Sequence, residues 1–425
     1  MSTRHLRLAG AATLALGALC ASVLPASAVA GNPGVPSDPI VLLAEGFDTG
    51  LTPETLTLLE DYVPAFPTTY SADDAWLSQE AGNGLIIDGN TTDAEFDTTD
   101  YDGVGNGGRE RMRELATALG EVAGKTSGED NFAVTAYTDL DPGANQIEFE
   151  TTTPLALDAG GRFLTLSANV AALNCVRASA PALVFYLVDG NDETRVNSSA
   201  LNPCRGASND EAYATRLLGG NAALFSGDTV GIVLRNENGS GGGNDHAYDD
   251  ITLLDVTPQL DKKFTDEGRT LTPGTVTNLV LTVTNTSELS EKDGWSFTDH
   301  LPAGLTVAGE ADSECDATVT GAVGATSVVV EDGILADGEV SCEITVPVTS
   351  QTGGTFENSA ANIQAAGLNL PGTTSIAFSS PPVPLAPVTG LDGESPWLYG
   401  AASLAGAALL VTLGLQVRRN RERAA

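Results

Sequence analysis

The sequence predicts an all-β protein with two successive domains. Short runs of β-branched and aromatic residues recur through its central part. Gly, Asn, Asp and Pro separate these runs, which is typical of sandwich and barrel folds. The alternation in residues 279–284 (LVLTVT) indicates a half-buried strand. The chain has 425 residues, which is enough for two domains of ordinary size.

The predicted boundary between the domains is Thr257-Pro258, where the strand pattern is interrupted. We therefore expect a first domain over residues 39–256 and a second over residues 257–379. One short helix is predicted near Arg109–Val122, because apolar residues recur there at helical spacing. They are Met112, Leu115, Leu119 and Val122. This stripe is interpreted as the face of a helix packed on a sheet.

The N-terminus has the features of a secretion signal. Residues 4–7 are rich in basic side chains, residues 8–24 are apolar, and two A-x-A sites end at Ala28 and Ala30. A basic head, a short apolar segment and an A-x-A exit are typical of a cleaved signal peptide. We therefore expect residues 1–30 to be removed and the mature protein to be extracellular.

The C-terminus has the features of an envelope anchor. Residues 396–417 are apolar and uncharged, long enough to span a bilayer, and four arginines follow within residues 418–423. A proline-rich spacer, residues 380–385, precedes this region and is suited to holding a domain away from a wall. The sequence therefore predicts a transmembrane helix and a location at the cell wall or the cell membrane.

Between the spacer and the apolar segment, within residues 386–425, stands Ala386-Pro387-Val388-Thr389-Gly390. With the apolar segment and the basic tail, this P-x-T-G core resembles the sorting signal of Gram-positive, actinobacterial-type surface proteins. The resemblance implies that a sortase cleaves the Thr389–Gly390 bond and joins Thr389 to peptidoglycan. Ala386 stands where that signal usually has Leu. If no sortase processes the motif, the apolar segment remains as a membrane anchor.

The charge balance is strongly acidic, with 56 Asp and Glu against 20 Lys and Arg and a formal net charge of −36. Such a field repels phosphate backbones, so nucleic-acid binding is not expected. The acidic surface favours solubility and leaves carboxylates available for hard cations such as calcium.

Four cysteines remain once Cys20 of the predicted signal peptide is set aside. An even number in an exported chain indicates disulfides, and proximity favours Cys175–Cys204 and Cys315–Cys342 among the three possible pairings. Zinc is the competing interpretation. However, there is no C-x-x-C pair, and the mature chain retains only His246 and His300 as histidines.

The second domain contains a series of short motifs: residues 259–264 (QLDKKF), 271–274 (LTPG), 281–285 (LTVTN), 297–305 (FTDHLPAGL) and 356–360 (FENSA), with Cys315 and Cys342. With these motifs it resembles the DUF11-type β-sandwich repeats of bacterial surface proteins. The resemblance implies an immunoglobulin-like spacer without catalysis. The same segments also contain the Pro-Gly and Pro-Ala-Gly turns expected between strands.

Some related pilin-like domains contain a Lys–Asn isopeptide bond, and the residues for one are present. Lys262 or Lys263 lies on the predicted first strand, Asn358 on a late strand, and Asp299 between them as the acid that protonates the amide. Such a bond requires a buried lysine made neutral by loss of solvent. The isopeptide bond is a hypothesis at this point.

The first domain has acidic motifs near both of its ends, residues 44–48 (AEGFD) and 244–251 (NDHAYDDI). With these motifs it resembles the jelly-roll-like modules that precede such repeats in surface proteins. The resemblance implies that the first and last strands are neighbours and that acids from both hold a structural calcium. The predicted ligands are Glu45, Asp48, Asp249 and Asp250, because calcium requires several hard oxygen ligands. The alternative is that these acids are solvated turn residues.

No metalloprotease, nucleophile-elbow, P-loop or dinucleotide-binding motif occurs, so the protein is predicted not to be an enzyme. The predicted function is a non-catalytic, anchored, adhesin-like surface protein. Its jelly-roll-like head binds an unknown glycan or protein ligand and stands on an immunoglobulin-like stalk. Its expected partners are a transient sortase and peptidoglycan or membrane. The alternatives are a purely structural envelope component and a secreted glycan hydrolase.

Overall fold

The computed structural model describes residues 32–380, except residues 54, 78–81, 100, 139–140, 158–160, 176–178, 206–209 and 218–221. The predicted signal peptide, sorting motif and apolar C-terminal segment lie outside this part of the chain. None of the helices in the described part is long and apolar enough to span a membrane.

The all-β prediction is confirmed. We call residues 39–256 the head domain and residues 257–379 the stalk domain. The head strands are β1 (Ile40–Glu45), β2 (Thr57–Leu58), β3 (Tyr70–Ser71), β4 (Leu85–Ile87), β5 (Ala133–Ala136), β6 (Gln146–Thr151), β7 (Leu155–Ala156), β8 (Arg162–Ala172), β9 (Leu183–Asp189), β10 (Asp192–Arg195), β11 (Tyr213–Leu217), β12 (Ala223–Phe225), β13 (Thr229–Asn236) and β14 (His246–Asp255). The head also has two α-helices, α1 (Asp93–Asp97) and α2 (Asn106–Val122).

Two sheets form the head sandwich. The first has the order β11-β8-β14-β5-β4-β2, with β1 also on β14 and β12 also on β8. The second has the order β10-β9-β13-β6-β3, with β7 also on β13. Their facing side chains form one apolar core that includes Leu166 and Ile251 from the first sheet and Phe149 and Ile232 from the second. The first and last head strands, β1 and β14, are neighbours, as the jelly-roll resemblance implied, and they pair antiparallel.

The predicted helix is confirmed as α2, and it packs on the outer face of the first sheet. Leu115, Ala116 and Leu119 lie against small residues of the strands, including Ala171 and Ala247. Because these strand positions are alanines, the helix can approach the sheet closely. The short helix α1 was not predicted; a capping box formed by Thr92 and Glu95 begins it.

The stalk is built from twelve further strands in the described part of the chain: β15 (Gln259–Phe264), β16 (Thr270–Leu271), β17 (Val276–Thr284), β18 (Lys292–His300), β19 (Leu305–Val307), β20 (Asp312–Ser313), β21 (Asp316–Thr320), β22 (Ser327–Leu335), β23 (Ser341–Ser350), β24 (Gly354–Asn358), β25 (Ile363–Ala366) and β26 (Thr374–Phe378). They form three sheets, ordered β15-β17-β23-β19, β16-β26-β24 and β21-β22-β18-β25, with β20 also on β23.

Trp295 fills the centre of the stalk core and is fully buried. A Cβ atom on Gly333 would lie 2.3 Å from the Trp295 ring. The sheet can therefore accept this side chain only because residue 333 is glycine.

Head and stalk are joined by more than the linker at Thr257-Pro258. Phe163 of β8 is buried in the apolar core of the stalk. Beside it, Arg162 Nε donates a hydrogen bond of 2.8 Å to Asp255 Oδ2, and Arg162 Nη1 donates one of 2.8 Å to Asn369 Oδ1. The segment before β1 also contacts the stalk: Ser287 N donates a hydrogen bond of 2.8 Å to the carbonyl oxygen of Ser37.

Both predicted disulfides are present, one in each domain. Cys175 is bonded to Cys204, and Cys315 is bonded to Cys342. They close loops of 29 and 27 residues, for which chain entropy gives a stabilisation of about 3–4 kcal/mol each.

Candidate functional site

The two candidate lysines of β15 point to opposite faces of their strand. Lys262 is buried together with its strand neighbours Leu260 and Phe264, whereas Lys263 is exposed. This follows from the two-residue period of a strand. Of the two, only Lys262 therefore reaches the interior of the stalk.

Lys262, Asn358 and Asp299 meet in the stalk core. Lys262 Nζ donates hydrogen bonds to Asn358 Oδ1 at 2.6 Å and to the carbonyl oxygen of Ser359 at 2.8 Å. Asn358 Nδ2 donates to Asp299 Oδ2 at 2.8 Å. The distance from Lys262 Nζ to Asp299 Oδ2 is 3.9 Å, and the side chains of both residues are fully buried. We call these three residues the stalk triad.

Each member of the stalk triad comes from a different sheet. Lys262 lies on β15, Asp299 on β18, and Asn358 at the end of β24. Lys262 and Asn358, which are 96 positions apart in the chain, are thus brought into hydrogen-bond contact. A covalent bond between Lys262 and Asn358 would fasten the first strand of the stalk to a strand that pairs with its last strand, β26.

Burial sets the protonation of the stalk triad. It lowers the pKa of Lys262 to about 8, against the opposing effect of Asp299. It also raises the pKa of Asp299, against the opposing effects of Lys262 and Asn358. Asp299 Oδ1 is buried and has no hydrogen-bond partner among the described residues. Both shifts bring the neutral forms, an amine and a carboxylic acid, closer to neutral pH than in exposed residues.

Lys292 is a second buried lysine of the stalk, and it has a different set of partners. Its Nζ donates to Glu288 Oε1, to Asn285 Oδ1 at 3.0 Å, and to both oxygens of Ser290 at 2.9 Å. Burial lowers the pKa of Lys292 as well, but the hydrogen-bonded Glu288 carboxylate opposes this effect and favours the charged amine. A charged ammonium group has no lone pair with which to attack an amide. Lys292 therefore forms a structural ion pair with Glu288, although it also contacts Asn285.

The predicted calcium ligands do not all come together. Glu45 faces the head core, where its carboxylate accepts hydrogen bonds from Tyr70 Oη at 2.6 Å, Phe47 N at 2.7 Å and Tyr62 Oη at 3.0 Å. Leu43 and Glu45 share the buried face of β1, so alternation turns Glu45 inward. The prediction that Glu45 is a calcium ligand is therefore corrected.

The other three acids converge around Gly46. A Cβ atom on Gly46 would lie 3.3 Å from Asp250 Oδ1, 3.8 Å from Asp48 Oδ2 and 3.9 Å from Asp249 Oδ1. Lys125 Nζ already donates to both carboxylate oxygens of Asp48, at 2.8 and 3.1 Å. As the described side chains stand, no group of three or more His, Cys, Asp or Glu residues could hold a metal ion.

A buried histidine–glutamate pair joins the two head sheets, and it was not predicted from the sequence. His246 Nε2 of β14 lies 2.8 Å from Glu148 Oε2 of β6, and His246 Nδ1 lies 2.9 Å from the carbonyl oxygen of Asn244. Burial of the ring lowers the pKa of His246, but the Glu148 carboxylate, the Asn244 carbonyl and Asp245 together outweigh this effect and raise it. With an acceptor at both nitrogens, the ring is held as an imidazolium.

The sorting motif Ala386-Pro387-Val388-Thr389-Gly390 and the apolar segment 396–417 lie outside the described residues. The anchoring mode therefore stays a prediction.

Residues 258–377 match the family described as "Domain of unknown function (DUF7933)". The match covers nearly all of the stalk domain and falls under a different description from the DUF11-type repeats that the stalk sequence resembles. No curated protein matches the chain.

Two solved structures from Gram-positive bacteria are similar to this chain. The N-terminal domain of the Streptococcus gordonii adhesin Sgo0707 is 12% identical with a TM-score of 0.29, over 60% of this chain and 64% of that one. BcpA, the major pilin subunit of Bacillus cereus, is 13% identical with a TM-score of 0.23, over 50% of this chain and 69% of that one. The chain spans less than two thirds of the length of the adhesin domain.

Proposed function

We propose that this chain is a non-catalytic protein displayed at the cell surface, in which a covalently cross-linked stalk carries the head domain and the head presents a surface to a glycan or protein ligand. The stalk triad is the observation that carries the proposal. A buried amine, a buried amide and a buried acid in one hydrogen-bonded row form an unusual and costly arrangement in a domain core. An isopeptide bond between Lys262 and Asn358 accounts for all three residues.

The bond forms by attack of the neutral Lys262 amine on Cγ of Asn358. The Asn358 Cγ–Nδ2 bond breaks, the new Nζ–Cγ amide bond forms, and ammonia leaves. Asp299, whose pKa is raised by burial, lends its proton in its carboxylic acid form to the amide during the attack and recovers one from the attacking amine. No external oxidant or energy source is needed. The reaction happens once in each molecule, so it is a maturation step and gives no turnover.

The purified protein is expected to be lighter than its sequence mass by one ammonia molecule, after allowance for the two disulfides. Peptide mapping should find residues 262 and 358 in one cross-linked peptide. Asn358→Ala and Asp299→Asn should each abolish the cross-link, because they remove the electrophile and the acid. Lys263→Arg, on the exposed face of the same strand, is the matched control and should retain it. An unmodified mass for the folded wild-type protein would exclude the bond.

The mode of attachment follows from the sequence resemblance. We propose that a sortase joins Thr389 to peptidoglycan and that residues 396–417 hold the chain in the membrane until then. Wild-type protein should resist detergent extraction and be released by a wall hydrolase. Thr389→Ala should shift the protein to the detergent fraction. Release of the wild type by detergent alone would identify a membrane anchor in place of a wall attachment.

A further inference from the structure

The segment before β1 forms a strap between head and stalk. Residues 32–38, which we call the N-terminal strap, lead into the head strand β1 but contact the end of the stalk strand β17 and the residues after it. Gly34 N donates a hydrogen bond of 3.0 Å to Thr284 Oγ1. Ser37 and Thr286 form a parallel β-bridge. The strap therefore ties the beginning of the head domain to the stalk.

A cavity of about 240 Å³ lies between the strap and the stalk. Asn32 and Val35 line it from the strap, and Asp261, Thr284 and Asn285 line it from the stalk. Asp261 and Asn285 are only 5% and 1% exposed. Of the described residues that line the cavity, Asp261 alone has an ionisable side chain. One buried acid in a polar cavity favours a cationic occupant.

Asp261 is buried on the outer face of its strand. Successive side chains of β15 point to opposite faces, so Asp261 shares a face with the exposed Lys263 and not with Lys262 of the stalk triad. It is buried nevertheless, and the strap lies across the cavity from it. A carboxylate buried in this way keeps its charge only beside a cation or several hydrogen-bond donors. A cation carried by the strap would meet this requirement.

We propose that the cavity binds the α-ammonium group of Gly31, the N-terminus created by signal-peptide cleavage after Ala30, with Asp261 as its counter-ion. Gly31 lies outside the described residues, and its role here depends on the predicted signal peptide. It directly precedes Asn32, which lines the cavity, and consecutive Cα atoms are about 3.8 Å apart. Because glycine has no side chain, its backbone can enter a small cavity. Capture of an N-terminal amine is an established mode of peptide recognition.

Cleavage supplies the positive charge. Hydrolysis of the Ala30–Gly31 peptide bond consumes one water molecule and leaves a carboxylate on Ala30 and an amine on Gly31. Before cleavage the Gly31 nitrogen is an uncharged amide. Afterwards it is an α-amine with an ordinary pKa of about 8, which is mostly protonated at neutral pH. The strap therefore forms its ion pair with the stalk only in the mature protein.

The same geometry distinguishes the two A-x-A sites of the signal peptide. Cleavage after Ala28 would leave Val29 and Ala30 in front of Gly31. The amine would then lie up to about 7 Å further along the chain from Asp261. We therefore expect cleavage after Ala30.

The experiment begins with mature protein purified from the cell surface, whose N-terminal residue is identified by mass spectrometry and should be Gly31. Its α-amine is then labelled with an amine-reactive reagent at neutral pH, and the rate is followed on the N-terminal peptide. Asp261→Asn should speed this labelling by about tenfold, the factor that one pKa unit gives. Glu310→Gln, which removes an exposed acid of the stalk, is the matched control and should leave the rate unchanged.

An N-terminal extension tests the same ion pair without altering any side chain of the folded body. Protein produced to begin at Val29 should melt about 2–4 °C below protein that begins at Gly31, because its amine is displaced from Asp261. In Asp261→Asn the same extension should have no effect, since the two changes remove one interaction. The extension decides the question even if Asp261→Asn fails to fold.

Any of three results overturns the proposal. The first is a mature chain that begins at Val29. The second is an equal melting temperature for the proteins that begin at Val29 and at Gly31. The third is an equal labelling rate of the Gly31 amine in wild type and in folded Asp261→Asn.

Discussion

Asn358→Ala is expected to lower the free energy of unfolding of the stalk by about 4–5 kcal/mol. An isopeptide bond from Lys262 to Asn358 would close a loop of about 100 residues, and a cross-link of that span restricts the unfolded chain by about this amount. Denaturant unfolding of wild type and variant, read out by the fluorescence of the buried stalk residue Trp295, measures the difference. Lys263→Arg should unfold like the wild type.

Asp299→Asn separates the covalent bond from the packing of the triad. It keeps the shape of the side chain and a hydrogen-bonding group beside Asn358 but removes the acid. We expect an uncross-linked protein with a similarly large loss of stability. If Asp299→Asn lacks the cross-link yet unfolds at the wild-type denaturant concentration, the bond does not stabilise the stalk as we infer.

Glu148→Ala is expected to destabilise the head by about 3–5 kcal/mol, because it leaves the buried His246 ring without its charged partner. The matched control is Glu237→Ala. It breaks the ion pair of Glu237 with Arg195, in which both side chains are more than one third exposed. Exposed pairs contribute about 1 kcal/mol or less. Equal effects of the two substitutions would show that the buried pair has no special role in joining the sheets.

The same pair predicts a pH dependence with a definite sign. The pKa of His246 is raised in the folded protein above its ordinary value of 6.5. The stabilisation from this group is therefore complete below about pH 6.5 and is lost as the pH rises through the folded-state pKa. The unfolding free energy of the wild type should fall as the pH rises above about 6.5, and this fall should be smaller in Glu148→Ala. An identical pH profile for the two proteins would contradict the assignment.

Much of the stalk could be predicted because its pattern is regular. The sequence placed the lysines on a first strand and Asn358 on a late strand, which are β15 and β24 in the structure. All three triad residues were among the predicted isopeptide candidates. The choice between Lys262 and Lys263 was left open, although the sequence contained the answer. Leu260 and Phe264 are apolar and share the strand face of Lys262, so a two-residue period already places Lys262 inside.

The head was harder to predict because one of its central strands is irregular. Alternation from Leu43 could have placed Glu45 inside and removed it from the predicted calcium ligands. The pairing of β14 with β8 shifts register between Asp249 and Thr252, and Asp250 has a φ of 49°; a regular alternation pattern does not predict such a bulge. The pairing of His246 with Glu148 spans two sheets and 98 residues, and local pattern contains no information about which residues face one another across a sandwich.

The position of the stalk triad also has a mechanical consequence. A pulling force between the head and the C-terminal end enters the stalk near Lys262 and leaves it after Asn358. With these side chains bonded, tension would pass directly from one to the other, and residues 263–357 would bear no load. Unfolding that stretch would otherwise lengthen the molecule by about 300 Å. The Cys315–Cys342 disulfide lies inside the shielded stretch, so chemical reduction should leave the extension of the stalk under load unchanged.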